Sequence, residues 1–149
     1  MPHPIRALAL ALALAATPAC AAFEAPRLEN PVAAARSVDQ RAYALLHAHG
    51  AIVEEARDVV ADPEAPLALK RALGQAERAA TPAAETLQIA VVAYVRARSD
   101  FDAAAHADQS AIARAGAALT AATRHLGEAL TAAERPVGEL EALVQAARR

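Results

Sequence analysis

The strongest constraint on the fold is an apolar stripe within residues 81–134. Between positions 87 and 133 the stripe positions are alternately four and three residues apart, so they lie on one side of an α-helix. Only Arg98 and Asp108 interrupt it. Its apolar members are Leu87, Val91, Tyr94, Phe101, Ala105, Ile112, Ala115, Leu119, Ala122, Leu126, Ala129 and Ala133. The stripe predicts a segment that is helical almost throughout.

Prolines and capping residues predict where the helices of this segment begin and end. Thr81 before Pro82 predicts a helix start, because Thr caps free amides and Pro at the first helical position has no amide to leave unpaired. Capping patterns within residues 99–110 favour a turn between two antiparallel helices over one continuous rod. Arg135 and Pro136 predict an interruption, followed by a short C-terminal helix.

The first half of the chain carries a similar start signal. Asn30 before Pro31 predicts a helix that runs to about Asp62, and a short connector helix follows over about residues 66–80. The apolar face of the first helix contains Val38, Ala42, Leu45, His49, Ile52, Ala56 and Val59. The prediction is an all-α fold: an antiparallel helical bundle of three to four main helices with short connector and C-terminal helices. Residues 31–149 are predicted to form its single domain.

The composition restricts both the core and the partners. Hydrophobic residues make up 56% of the 149 residues but aromatic residues only 3%, so much of the apolar content is alanine, which buries little area. We therefore expect a thin core whose stability depends on close helix approach, helix propensity or a partner, including a second copy of the chain. The formal net charge is −2, and no basic face with interleaved aromatics is present, so nucleic acid is not an expected partner.

The N-terminus has the pattern of an export signal. Arg6 precedes an apolar run, and small residues follow up to Ala22, so residues 1–21 are predicted to be a cleaved leader and residues 22–30 an extended tether. Cys20 lies in a sequence that suits ordinary signal peptidase and also resembles a bacterial lipobox. Lipidation of Cys20 is the alternative to its removal, and it would provide the expected membrane contact. The predicted location is the periplasm or the periplasmic side of the outer membrane.

No recognisable catalytic or cofactor motif occurs, and neither an enzymatic activity nor a cofactor is predicted. His49 lies in the apolar stripe of the first helix, where a core histidine bonded to a neighbouring side chain is favoured over a metal ligand. Glu54, Asp58 and Asp62 form an acidic row at four-residue spacing. A cation site at His49 and this row is the alternative to a face that is solvated or paired with the basic residues of the connector.

Residues 36–45 (RSVDQRAYAL) and 73–80 (LGQAERAA) follow an exported leader and a tether that opens on Asn30, Pro31, Val32 and Ala33. This order resembles the small alanine-rich helical lipoproteins of proteobacterial prophages. The resemblance covers about half of the chain. It implies a cell-envelope setting and no defined activity.

Three functions are consistent with these features. The first is a non-enzymatic exported helical protein of the bacterial cell envelope that acts through protein contacts or as a small accessory lipoprotein. The second is a periplasmic sensor bundle that binds a metal or a small ligand. The third is a helical holdase, because the Leu-Thr pairs at 119–120 and 130–131 resemble the Leu-Thr-x-x-Gln repeats of periplasmic stress chaperones, although the Gln is absent from both.

Overall fold

The computed structural model describes residues 37–149 and contains three helices within that range. They are α1 (Val38–Ala61), α2 (Leu67–Ala104) and α3 (Gln109–Ala147), and short connections join them. This confirms the predicted all-α helical bundle, with three helices. None of the helices in residues 37–149 combines the length and hydropathy needed to cross a membrane.

The leader, the tether, Cys20 and the start signal at Asn30 and Pro31 all lie outside the described residues. Helix α1 begins after Ser37, whose backbone is extended (φ −118°, ψ 160°) and whose amide donates to the Gln40 side chain at 3.4 Å. The prediction of a helix that runs without interruption from Pro31 through Ser37 is therefore wrong. The predicted C-terminal boundary is confirmed, because α1 ends at Ala61 and Asp62 is its C-cap.

Helix α2 passes through Thr81 and Pro82 without a break, so the predicted helix start and the separate connector helix are wrong. An interior proline removes one backbone hydrogen bond and crowds the preceding turn. Here Pro82 is exposed, whereas Ala80 and Ala84 on either side of it are buried in the core. Packing on both sides of the proline keeps the two segments in one helix.

The predicted turn within residues 99–110 is confirmed, since α2 ends at Ala104 and α3 begins at Gln109. Asp108 is the N-cap of α3, and its carboxylate accepts hydrogen bonds from the Ala111 amide at 2.8 Å and the Ser110 hydroxyl at 2.6 Å. These bonds stabilise the ionised carboxylate and lower the pKa of Asp108. The turn is therefore defined by local capping chemistry.

Helix α3 also continues through its proline, so the predicted interruption at Arg135 and Pro136 is wrong. Ala133 and Val137 flank Pro136, and both are buried in the core. On the solvent side, the Arg135 guanidinium donates to the Glu139 carboxylate at 2.8 Å across the same turn. The predicted short C-terminal helix is instead the last third of α3.

Two ion pairs define how α1 lies in the bundle. Arg41 pairs with Glu134, and Glu55 pairs with Arg148 at 2.9 Å. The residues of the first pair are 93 positions apart in the chain, and those of the second pair have the same separation. Helix α1 therefore runs parallel to the C-terminal half of α3 and antiparallel to α2.

The core occupies only the half of the bundle in which all three helices meet. Its buried hydrophobic residues are Ala42, Leu45, Ile52, Ala56, Leu73, Ala80, Ala84, Leu87, Ala90, Val91, Leu126, Ala129, Leu130, Ala133, Val137, Leu140 and Val144. Alanine is prominent among them, and none of the aromatic side chains in residues 37–149 is buried. Residues 92–125 contribute no buried side chain, so this part of the α2–α3 hairpin extends beyond the three-helix core.

Candidate functional site

A groove lies between the first half of α1 and the middle of α2. Its volume is about 810 Å³. The lining residues are Tyr43, Leu46, His49, Thr81, Ala84, Glu85, Gln88, Val91, Val92, Val95 and Arg96. A mostly apolar lining with a few polar groups is typical of a binding site.

The rim of the groove exposes apolar side chains that the core does not cover. Tyr43 on α1 is 53% exposed, and Val92 and Val95 on α2 are 46% and 47% exposed. Ile89, on the adjacent outer face of α2, is 69% exposed. Tyr43, Val92 and Val95 line the same groove, so they form an apolar surface suited to contact with a partner.

His49 is the polar residue nearest the core on the α1 side of the groove. Its position in the apolar stripe is consistent with its partial burial, but its Nε2 atom is buried and has no hydrogen-bond partner in the described residues. The predicted bond between His49 and a neighbouring side chain is not formed within the described residues. Burial lowers the pKa of His49, and the nearby Glu77 carboxylate opposes this effect. The folded environment of His49 therefore favours the uncharged imidazole.

The acidic row lies away from this groove, at the other end of α1. Glu54 is exposed, and Asp58 and Asp62 line a shallow depression of about 390 Å³ beside the α1–α2 connection. The Asp62 carboxylate accepts the Glu64 amide at 2.9 Å. Lys70 reaches the end of α1, as expected for the connector, but its ammonium donates to the Asp62 backbone carbonyl at 2.6 Å.

The cation site considered from the sequence would need His49 and the acidic row to converge. Within residues 37–149 there is no group of three or more His, Cys, Asp or Glu side chains that could hold a metal ion. The structure therefore separates His49, which belongs to the groove, from Asp58 and Asp62, which belong to the α1–α2 connection.

One feature of the sequence indicates the groove: bulky apolar residues of α2 that lie outside the main apolar stripe. Val92 and Val95 are three residues apart and lie beside the stripe residue Val91, and Ile89 continues this spacing outside the groove. A helix buried on one side of the bundle needs only one apolar stripe, so additional bulky apolar residues outside it predict a second contact surface. Which of them are exposed depends on where α1 lies.

No protein-family model matches the chain, and comparisons with curated proteins and with solved structures gave no match.

Proposed function

We propose that this protein is a non-enzymatic exported helical protein of the bacterial cell envelope, and that it acts through protein contacts at the α1–α2 groove. The observation that carries the proposal is the apolar rim of this groove, formed by Tyr43, Val92 and Val95. An apolar groove between two helices suits the apolar face of a partner helix, which would supply a fourth helix to the bundle.

His49 gives this contact a polar component. Its buried Nε2 has no partner in the described residues, and leaving such an atom unpaired costs free energy. A neutral imidazole nitrogen accepts or donates one hydrogen bond, depending on the tautomer. A partner side chain that reaches this atom would therefore gain both affinity and a defined register in the groove.

Site-specific photocrosslinking in a Gram-negative host tests the contact. Tyr43 is replaced by a photoreactive phenylalanine analogue, and a matched control carries the same analogue at Thr123, which is exposed on α3. We expect the groove position to give a discrete adduct in the envelope fraction that the control position does not give. Identical adduct patterns at both positions, or none at either, would contradict the proposal.

The export part of the proposal rests on the leader pattern of residues 1–21. Intact mass measured on the membrane and soluble fractions tests it. A chain that begins at Cys20 with three acyl chains would identify a lipoprotein. A soluble chain that begins at Ala22 or Phe23 would identify a free periplasmic protein. A chain that still carries residues 1–21 in the cytoplasmic fraction would exclude export.

A second candidate function is a sensor that binds a small ligand in the same groove. The specific support is the unpartnered His49 atom within a groove of about 810 Å³, a volume in the range of small-molecule sites. We expect a ligand or metal that copurifies with the protein to be lost in His49→Leu and retained in His47→Leu, because His47 is exposed outside the groove. A ligand retained in both variants would place the site elsewhere.

A further inference from the structure

A second stripe on α2 faces away from the core and overlaps the groove: Glu85, Val92 and Arg96 line the groove, and Ile89 lies outside its lining. Glu85, Ile89, Val92 and Arg96 are spaced by four, three and four residues, so they form one stripe along the helix. Leu87 is buried on the opposite side of α2. We call these four residues the α2 seam.

The α2 seam combines exposed apolar residues with unpaired charges. Ile89 is 69% exposed, more than any other large hydrophobic side chain in residues 37–149, and Val92 is 46% exposed. Glu85 and Arg96 are both exposed and take part in none of the ion pairs or hydrogen bonds formed within the described residues. Glu85 therefore lies at the N-terminal end of the seam, and Arg96 lies at its C-terminal end.

This order of residues is complementary to itself when two copies run in opposite directions. A two-fold axis between positions 90 and 91 places Glu85 opposite Arg96 of a second copy, and Ile89 opposite its Val92. A two-fold contact repeats each pair, so the charge pair and the apolar pair each occur twice. A parallel arrangement would place Glu85 opposite Glu85 and Arg96 opposite Arg96, which is unfavourable.

The pairing of opposite charges between antiparallel copies extends beyond the seam. Arg78 and Asp100 lie on the same side of α2, are exposed, and form no ion pair within the described residues. In the antiparallel arrangement Arg78 lies within about one helical turn of Asp100 of the second copy. Acidic and basic positions therefore remain matched on both sides of the seam.

We propose that the α2 seam binds the α2 seam of a second copy of this chain in antiparallel orientation. This inference goes beyond the proposed groove contact in its occupant, a second copy of the chain, and in its use of Ile89, which lies outside the groove lining. The two surfaces share Glu85, Val92 and Arg96. With only two bulky apolar side chains per copy, the interface is small. The dimer is therefore expected to dissociate at micromolar concentrations.

Sedimentation equilibrium on the chain recovered after export, over about 5 to 500 µM, tests the proposal. We expect concentration-dependent dimers that Ile89→Asp abolishes, and single variants Glu85→Arg and Arg96→Glu that each weaken the dimer about tenfold or more. Arg124→Glu, a charge reversal at an exposed position of α3, is the control and should leave dimerisation unchanged. Circular dichroism shows whether each variant remains helical.

Combining the two charge reversals in one chain tests the antiparallel orientation. In the double variant Glu85→Arg/Arg96→Glu, a basic side chain at position 85 again faces an acidic side chain at position 96 of the second copy. Dimerisation that each single variant weakens should therefore recover in the double variant. In a parallel dimer each position faces itself, so a single reversal would only exchange one like-charge pair for another and would not weaken association.

A monomer throughout the concentration range, a dimer unaffected by Ile89→Asp, or no recovery in the double charge variant would each overturn the proposal. Glu85, Val92 and Arg96 belong to both the groove and the seam, so the mass of the Tyr43 adduct must distinguish a partner protein from a second copy of the chain. The Tyr43 adduct is therefore measured in the Ile89→Asp variant as well. A partner adduct that persists there belongs to the groove contact, because Ile89 lies outside the groove lining.

Discussion

At the scale of single residues, the thin core concentrates stability in a few leucine side chains. Leu87 and Leu140 are both completely buried, and much of the surrounding core is alanine. Seven of the 17 buried hydrophobic residues within positions 37–149 are alanine, so most of the buried apolar area comes from the other ten. The effect of a core substitution should be correspondingly large.

We expect Leu140→Ala to lower the free energy of unfolding by about 2–5 kcal/mol, because it removes buried area and leaves a cavity. The control is Leu67→Ala, at a side chain that is 63% exposed, where the expected change is within about 0.5 kcal/mol. Urea denaturation followed by circular dichroism measures both. Equal effects of the two substitutions would contradict the assignment of Leu140 to the core.

His49 should make stability depend on pH. Its folded-state pKa lies below the ordinary histidine value because burial disfavours the charged ring. The unfolded state therefore binds a proton more readily, and stability is fully present above the ordinary value of about 6.5 and falls as the pH drops below it. The expected direction is lower stability at about pH 5 than at about pH 7.5.

Denaturant unfolding of the His49→Leu and His47→Leu variants at these two pH values checks this expectation. The loss of stability on acidification should be smaller in His49→Leu, whereas His47→Leu should behave as the unmodified protein because His47 is exposed. The lowered pKa of Asp108 acts in a more acidic range and does not interfere. The same pH dependence in all three proteins would count against a role for His49.

At the scale of helices, the two interior prolines oppose the local geometry of α2 and α3. Pro82 and Pro136 each lack an amide that would otherwise donate within the helix. Both helices nevertheless continue, because buried residues on both sides of each proline pack into the same core. These prolines should therefore reduce stability rather than mark helix starts.

Pro82→Ala distinguishes the two possibilities. In a continuous α2 the substitution should raise the free energy of unfolding, by up to about 3 kcal/mol, because it restores an interior hydrogen bond. If a helix began at Pro82, the same change would be neutral or unfavourable, and Thr81→Ala would cost about 1 kcal/mol through loss of a cap. Thermal or urea unfolding of both variants separates the outcomes.

At the scale of the whole molecule, the two ends of the α2–α3 hairpin differ in how many side chains are buried by tertiary packing. Helix α1 covers one end, where the buried core lies, whereas residues 92–125 contain half-buried and exposed side chains only. Tyr94, Phe101 and Leu119 are half-buried there. Regions with few buried apolar contacts open at lower free energy than the core.

Hydrogen exchange followed by mass spectrometry should therefore show faster amide exchange in peptides from residues 99–120 than in peptides from residues 126–144. When the comparison is restricted to amides within α2 and α3, which excludes the turn at residues 105–108, both sets are helical and the difference reports tertiary support. Uniform protection along α3 would contradict this description. Exchange in residues 85–96 that slows as protein concentration increases would further support the α2 seam as a dimer contact.

The helical class, the stripe residues Leu87, Val91 and Leu126, and the turn capped by Asp108 could all be predicted from the sequence. These features depend on residue periodicity and on hydrogen bonds within a few residues, which are present in the chain regardless of its distant contacts. The groove was only partly predictable. Bulky apolar residues such as Val92 occur outside the main apolar stripe of α2, and His49 occurs as a polar residue in the apolar stripe of α1.

Packing between distant helices, which the sequence did not reveal, determined that α2 and α3 continue through Pro82 and Pro136. Contacts on both sides of a proline can outweigh the hydrogen bond that it removes. Packing also brought Arg148 to Glu55, and it left His49 Nε2 buried without a partner in the described residues. The reason is the same in each case. These outcomes depend on where α1 packs against two distant helices, and spacing along one helix carries no information about that position.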